Sequence, residues 1–277
     1  MDPIELGELV GDTHLGDAGP VRQEPPYDIN IDDEDDSEAK ATELRRAAIS
    51  DQALDEYKNY KKMLELRDWV SVPYTRAEGI ACYELPDFTI PGSKDSNEKA
   101  HAYKASGVVE NKTANDIARA HLDTNKISRL SWDSDLSDIG LLETINSNPA
   151  LGMELTVQYA EYTPPAIAKR ESVYFQWSRK TPSKKNKTDN VWIIISRHTD
   201  HPLRPVRDNP VRALSYSVMI LTPLTPRTDT LMRWPSTHVT FMVCTQVGGW
   251  LPESAATALY RTKVADRIKF LRETHFV

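Results

Sequence analysis

The densest concentration of reactive side chains is the stretch 195–205, ISRHTDHPLRP, which holds two histidines, an aspartate and two arginines in eleven residues. His198, Asp200 and His201 form an H-x-D-H arrangement of zinc-ligand types, but a zinc site needs a fixed scaffold and further ligands. No other His or Cys cluster lies nearby, and two prolines after the run WIIIS put the stretch on a loop leaving a strand. It reads as a polar turn at the surface, and no metal is expected. Nucleophilic catalysis fares no better: there is no G-x-S-x-G elbow, and Ser172, Ser196, Ser215 and Ser217 sit in strand-like runs. GIACYELP and QVGGWLP lack the Lys-Ser/Thr that follows a phosphate-binding glycine loop, so no nucleotide cofactor is expected. The basic tip RKTPSKKNKT (179–188) has no interleaved aromatics and reads as a solvated turn, not a nucleic-acid surface.

A less conspicuous residue is more informative. In LGMELTVQY, strand alternation puts Gly152, Glu154, Thr156 and Gln158 on one face and Met153, Leu155, Val157 and Tyr159 on the other. If the first face meets solvent, Glu154 is an ordinary surface acid. If it meets a concavity, desolvation raises its pKa and lets it hydrogen-bond a ligand hydroxyl. The pattern leaves both readings open.

The elements that position these residues follow from periodicity. Residues 1–41 are Gly/Pro-punctuated and acidic, and residues 1–45 carry fourteen Asp/Glu against three Lys/Arg. Such a run buries too little apolar surface to offset its ordering entropy and is expected to be a disordered tail. Thr42 to Arg67 has helix formers and an imperfect apolar stripe, predicting a helix with one buried face. WVSV, GIACYEL and HAYKASGVV read as strands, and TANDIARAHLDT reads as a helix capped by Asn111 or Thr113. DIGLLETIN, LGMELTVQYAEY, SVYFQWSR, VWIIISRH, PVRALSYSVMILTPL and THVTFMVCTQV then follow with links too short for helical crossovers, which predicts antiparallel pairing. A last helix starts at Pro252, with Leu259, Val264, Ile268 and Leu271 inward and Arg261, Lys263, Arg267 and Lys269 outward. The class is α+β.

Composition sets bounds. The 277 residues are 39% apolar, enough for a real core, and the net charge of −7 divides into an acidic tail and a mildly basic body. No stretch has the apolar length of a membrane span, and MDPIELGELVGD has neither part of a secretory leader. Neither end carries a lipidation motif. Two cysteines, Cys82 and Cys244, suit a reducing compartment and a place in the core, so a cytoplasmic protein is expected.

Three passages carry a resemblance: RLSWDSDLSDIGLLETI (129–145), VWIIISRHTDHPLRPVRDNPVRA (191–213) and THVTFMVCTQVGGWLPESAATAL (237–259). With Trp132-Asp133, Arg212-Ala213 and Gly249-Trp250-x-Pro252 in order, the region from Thr42 to Val277 resembles the START family of lipid-transfer domains. The resemblance implies a helix-grip fold, in which a curved antiparallel sheet wraps a long C-terminal helix around a tunnel for one lipid. It implies a non-enzymatic carrier or sensor that moves lipid between membranes through transient surface contact. Such a carrier is useful because exposing an acyl chain to water costs about 0.8 kcal/mol per CH₂.

Glu154 resembles the acidic cavity residue of the family's sterol-binding branch, and its usual arginine partner is replaced by Gln176. An amide cannot form an ion pair. Glu154 and Gln176, with Thr156, are therefore expected to read a hydroxyl or amide on a sterol, ceramide or diacylglycerol, and Tyr216 is expected either on the cavity wall or packed under a helix. A phospholipid would want an inward arginine, and the sequence alone assigns none. Leu259, Val264 and Ile268 are expected on the gate helix, whose basic outer residues would favour an anionic membrane. The same scaffold also supports two other readings, an enzyme acting on a hydrophobic substrate and a lipid-insensitive interaction module.

Overall fold

The computed structural model describes residues 32–74, 77–90, 99–133, 136–148, 153–163, 168–182, 190–224, 234–246 and 253–274, with side chains except at 32–36, 99, 253–259 and 262. Its elements are α1 (Asp32–Leu64), β1 (Val70–Val72), β2 (Ile80–Thr89), β3 (Lys99–Glu110), α2 (Ala114–Leu122), α3 (Lys126–Leu130), β4 (Leu136–Asn148), β5 (Met153–Tyr162), β6 (Arg170–Pro182), β7 (Asn190–His198), β8 (Val211–Arg212), β9 (Leu214–Leu224), β10 (Ser236–Gln246) and α4 (Glu253–Glu273). Contacts gather Glu43–Val277 into one compact unit.

Among the described residues, ten strands form one curved sheet in the order β1-β2-β3-β10-β9-β7-β6-β5-β4, antiparallel throughout except that β8 runs parallel to β6. This is the expected helix-grip arrangement. α2 starts at Thr113, whose hydroxyl accepts from the Asp116 amide while the Asp116 carboxylate accepts from the Thr113 amide. That reciprocal pair satisfies two otherwise orphaned donors. α1 departs from expectation: it begins at Asp32, inside the acidic run, and not at Thr42. Asp32, Asp33, Glu34, Asp35 and Asp36 fall in its first turns. The expected tail before Ile31, and Ile31 itself, lie outside the described residues.

The sheet is buried on both faces, and strand parity decides which residue serves which. On the outer face Val173, Phe175 and Trp177 of β6, Ile193 and Ile195 of β7, and Tyr216 and Val218 of β9 pack with Ile49, Ala53 and Tyr60 of α1. On the inner face Ile194, Met219, Phe241, Tyr103 and Ala105 pack with Ile117 of α2 and with Val264, Ile268 and Leu271 of α4. Burial of roughly 25 cal/mol per Å² of apolar surface on each side holds the three layers together.

The loop carrying ISRHTDHPLRP closes the outer edge. Arg204 reaches Glu161 at 3.2 Å and Glu171 at 3.3 Å, and its guanidinium lies 3.5 Å above the Tyr159 ring. Arg212 joins the same Glu171 at 3.2 Å, and Lys169 pairs with Glu161. Gly140 makes room for the stack, because a Cβ there would stand 2.5 Å from the Tyr159 ring. His201 is not at the surface as expected: it is buried, with Nε2 3.4 Å from Glu143, which also binds Arg45 at 2.9 Å and Arg46. The stretch is a structural ion network, and among the described residues no His/Cys/Asp/Glu group is arranged to hold a metal.

Replacing Arg204 with alanine takes one cationic partner from each of two buried carboxylates, leaving Glu161 to Lys169 and Glu171 to Arg212. Hydrogen bonds to charged groups contribute about 1.5–3 kcal/mol, so Arg204→Ala is expected to lower unfolding free energy by about that much in urea titration. A variant as stable as the parent would remove this network from the account.

Candidate functional site

Between the inner face of the sheet and α2, α3 and α4 lies a cavity of about 160 Å³. Its floor is set by register. Thr156 of β5 faces Gln176 of β6, Gln176 faces Ser196 of β7, and Ser196 faces Ser217 of β9. The neighbouring row runs from Gln158 to Tyr174 and His198. Two polar rows thus cross an inner face that is apolar further along the same strands, where Ile194, Met219 and Phe241 support the helices.

The rows are hydrogen-bonded within themselves. The Gln158 amide donates to Thr156 Oγ1 at 2.9 Å and to Gln176 Oε1 at 3.1 Å. Tyr174 donates to Gln158 at 3.3 Å, and the Gln176 amide donates to Ser196 Oγ at 3.3 Å. Buried amides and hydroxyls arranged this way are costly when unmatched and rigid when satisfied.

The roof supplies charge. Asp133, 4% exposed, accepts from Arg267 of α4 at 2.6 Å and from Arg129 at 3.5 Å. Both guanidinium groups lie over the Trp132 ring, at 4.6 Å for Arg129 and 5.2 Å for Arg267. Burial pushes the Asp133 carboxyl up, but Arg267 and Arg129 outweigh it and hold the group below the usual carboxylate range. Asp133 is therefore an anion, committed chiefly to Arg267. Arg129 also donates to the His121 carbonyl, while its buried Nε has no hydrogen-bond partner. Burial, then Arg129 and Arg267, keep His121 far below its ordinary pKa, so the imidazole is neutral. Among the described residues, Arg129, Arg170, Lys263 and Arg267 line the cavity against the single carboxylate of Asp133. The wall is electropositive.

The sequence-nominated residues divide. Gln176 lines the cavity, and Thr156 is buried in the same row. Glu154 shares that face but stands opposite Ser178, beyond the cavity wall, and the hydrogen-bond partner of Gln176 across the β5–β6 pair is Gln158. Tyr216 is on the other face, under α1, its ring centroid 6.3 Å from that of Phe88; one step of parity separates it from the cavity-lining Ser215 and Ser217. Val264 lines the cavity and Ile268 is fully buried beside it, whereas the side chain of Leu259 lies outside the described residues. Sequence reasoning missed Arg129, Arg170 and Arg267. The four-residue spacing of Arg129 and Asp133 was the available signal, since it puts both on one side of a helical turn.

The expected basic outer face of α4 is also corrected. Lys263 and Arg267 turn to the cavity, Arg261 pairs with Glu84, and Lys269 lies 3.8 Å from Glu273. Arg261, Glu84 and His101 form one chain of contacts, with His101 Nδ1 2.8 Å from Glu84. Lys112 binds the carbonyls of Leu271 and Arg272, so the C-terminal end of α4 is capped by a cation.

The sequence profile of the START domain matches residues 51–275. Among solved structures, human StAR-related lipid transfer protein 5 superimposes with a TM-score of 0.62 at 17% identity, over 83% of this chain and 96% of that one. Human STARD10 gives 0.58 at 16% identity, over 79% and 78% of the two chains. The lipid transfer and protein localization domain of human StarD13 (DLC2) gives 0.54 at 16% identity, over 79% and 95%. No curated protein matches by sequence.

Neutral His121 has a consequence for stability. Below pH 6.5 the unfolded chain takes up a proton at this position and the folded chain does not, so stability is present above that pH and falls as pH drops. His201, also held below its ordinary pKa by burial and then Arg45, acts in the same direction. Unfolding free energy is expected to decline from pH 6.5 to pH 5, with a shallower decline in His121→Gln. Parallel pH profiles for parent and variant would contradict this assignment.

Proposed function

This chain belongs to the START domain family, and on that premise we propose that it is a non-enzymatic lipid carrier whose cavity grips a phosphate-bearing headgroup. Arg129 carries the reading. It is a buried guanidinium in a cavity wall, with an unpartnered Nε and a loose 3.5 Å contact to an aspartate that Arg267 holds more tightly. Arg170 and Arg267 stand in the same lining. A planar guanidinium matches phosphate geometry bidentately, and a buried one gains most when an anion arrives. The expectation of a neutral head, whether sterol, ceramide or diacylglycerol, rested on Glu154 acting with Gln176 and on the lack of an inward arginine; the lining holds Gln176 and Arg129 but not Glu154, which favours the phosphate.

The cavity volume supports a moving wall. About 160 Å³ is well below the roughly 300–1,000 Å³ of ordinary small-molecule pockets, so headgroup and acyl chains do not fit together without more room. α4 is the wall we assign to that motion, with Val264 and Ile268 on its inner side. Its end near Arg272 is anchored by Lys112, and its side-chain ties at Arg261 and Arg267 are ion pairs that can exchange partners. In this reading the domain, Glu43 onward, meets a cytoplasmic membrane surface transiently, loads or releases one phospholipid, and withdraws it from water. No described helix is long and apolar enough to cross a membrane.

Vesicle extraction with phosphatidic acid and with ceramide tests the reading. Charge-assisted bonds contribute about 1.5–3 kcal/mol, so Arg129→Gln is expected to reduce phosphatidic acid extraction about ten-fold or more. Ceramide extracted in preference to phosphatidic acid by the parent would return the assignment to a neutral head.

A further inference from the structure

Resting on that reading, we infer that the headgroup is a phosphorylated polyol, of the inositol or glycerol kind, and not phosphocholine. The argument is the cavity floor. Ser172 of β6, Ser196 of β7 and Ser215 and Ser217 of β9 line it together with Gln176. Ser196 receives the Gln176 amide at 3.3 Å, but the hydroxyls of Ser172, Ser215 and Ser217 make no hydrogen bond to another described residue. Three adjacent strands thus aim hydroxyls and an amide into one small space from below, while guanidinium groups face it from above.

An acyl chain is a poor occupant of that floor. It would strip water from each hydroxyl and return no hydrogen bond, the arrangement in which a buried polar group is most costly. Hydroxyls both donate and accept, so a ring of ligand hydroxyls can satisfy the serines and Gln176 whichever way each one points. Trimethylammonium offers no donor at all. It is a cation facing Arg129, Arg170, Lys263 and Arg267; aromatic side chains such as Tyr174 and Phe241 share that lining, but they leave the serine hydroxyls and Gln176 unmatched, and Asp133, the carboxylate among the described lining residues, is already held by Arg267 at 2.6 Å. Size agrees as well: about 160 Å³ is on the scale of a single six-membered ring, since a cavity of roughly 150 Å³ takes benzene. The phosphate then sits under Arg129 and the polyol over the serines, leaving the acyl chains for the space that α4 vacates.

The test uses the full chain and vesicles containing phosphatidylinositol, phosphatidylcholine or phosphatidic acid in a common carrier lipid. Phosphatidylinositol is expected to be extracted at least ten-fold over phosphatidylcholine. In the triple variant Ser172→Ala, Ser215→Ala, Ser217→Ala, the extraction ratio of phosphatidylinositol to phosphatidic acid is expected to drop at least ten-fold. Ser217→Thr, which keeps the hydroxyl, is expected to preserve the ratio and so separates a lost contact from a lost fold. Phosphatidylinositol extracted no better than phosphatidic acid by the parent overturns the polyol assignment and leaves the phosphate reading standing. Extraction of none of the three, with no binding of soluble inositol 1-phosphate either, overturns both. Soluble inositol 1-phosphate, titrated alone, distinguishes the sources: binding without extraction keeps the polyol site and moves its ligand from a lipid to a free phosphate ester.

Discussion

A carboxylate buried at 4% exposure has to be compensated where it stands, and the way Asp133 is compensated organises the functional half of this protein. Asp133 follows the short helix α3 and binds Arg267 on α4 at 2.6 Å, so one ion pair ties the C-terminal helix to the corner where the chain passes from α3 into β4. Because the carboxylate is taken by Arg267, Arg129 is left loosely engaged although it is only four residues away. Trp132 serves both arginines as a shared aromatic face. The WD pair of the sequence therefore does three things at once. It closes the cavity, charges its roof and leaves Arg129, which also donates to the His121 carbonyl, with an unpartnered Nε.

The floor depends on a different constraint, the double burial of the sheet. Outer-face residues such as Phe175, Ile195 and Tyr216 are fully committed to packing under α1, so the polar side chains of the cavity floor come from the alternate positions of the same strands. Those positions change character along each strand. Trp192 and Ile194 support α2 and α4, and two residues on Ser196 enters the polar rows. A single sheet face is thus apolar where helices must rest and polar where a ligand head can lie. Gln176, Gln158 and Thr156 hold each other in fixed rotamers, which pre-organises the floor before any ligand arrives.

Element order was legible from periodicity, because strands at short intervals with no room for crossovers allow few pairings. So was the placement of Gln176, since β6 alternates polar and aromatic residues along SVYFQWS. Tyr216 was not, and the reason is physical: β9 is buried on both sides, so hydrophobic alternation carries no information about which face meets the cavity. Register with β7 settles it, and register is a long-range property. Arg129 and Arg170 were hidden for a related reason. An arginine in a polar stretch looks like surface, and only the packing of α3 against α2 and the return of β6 beneath it turn these two inward. His201 misled in the same way, a turn residue by sequence that Glu143 and the arginines of α1 enclose.

What the molecule carries can be read most directly by native mass spectrometry of the full chain purified with its cargo, followed by fragmentation of the released mass. A single phosphate-containing lipid per chain, lost when Arg129 is replaced by glutamine, is the result predicted by an electropositive roof over a polar floor. A sterol or ceramide at one per chain, or no lipid mass at all, would contradict it.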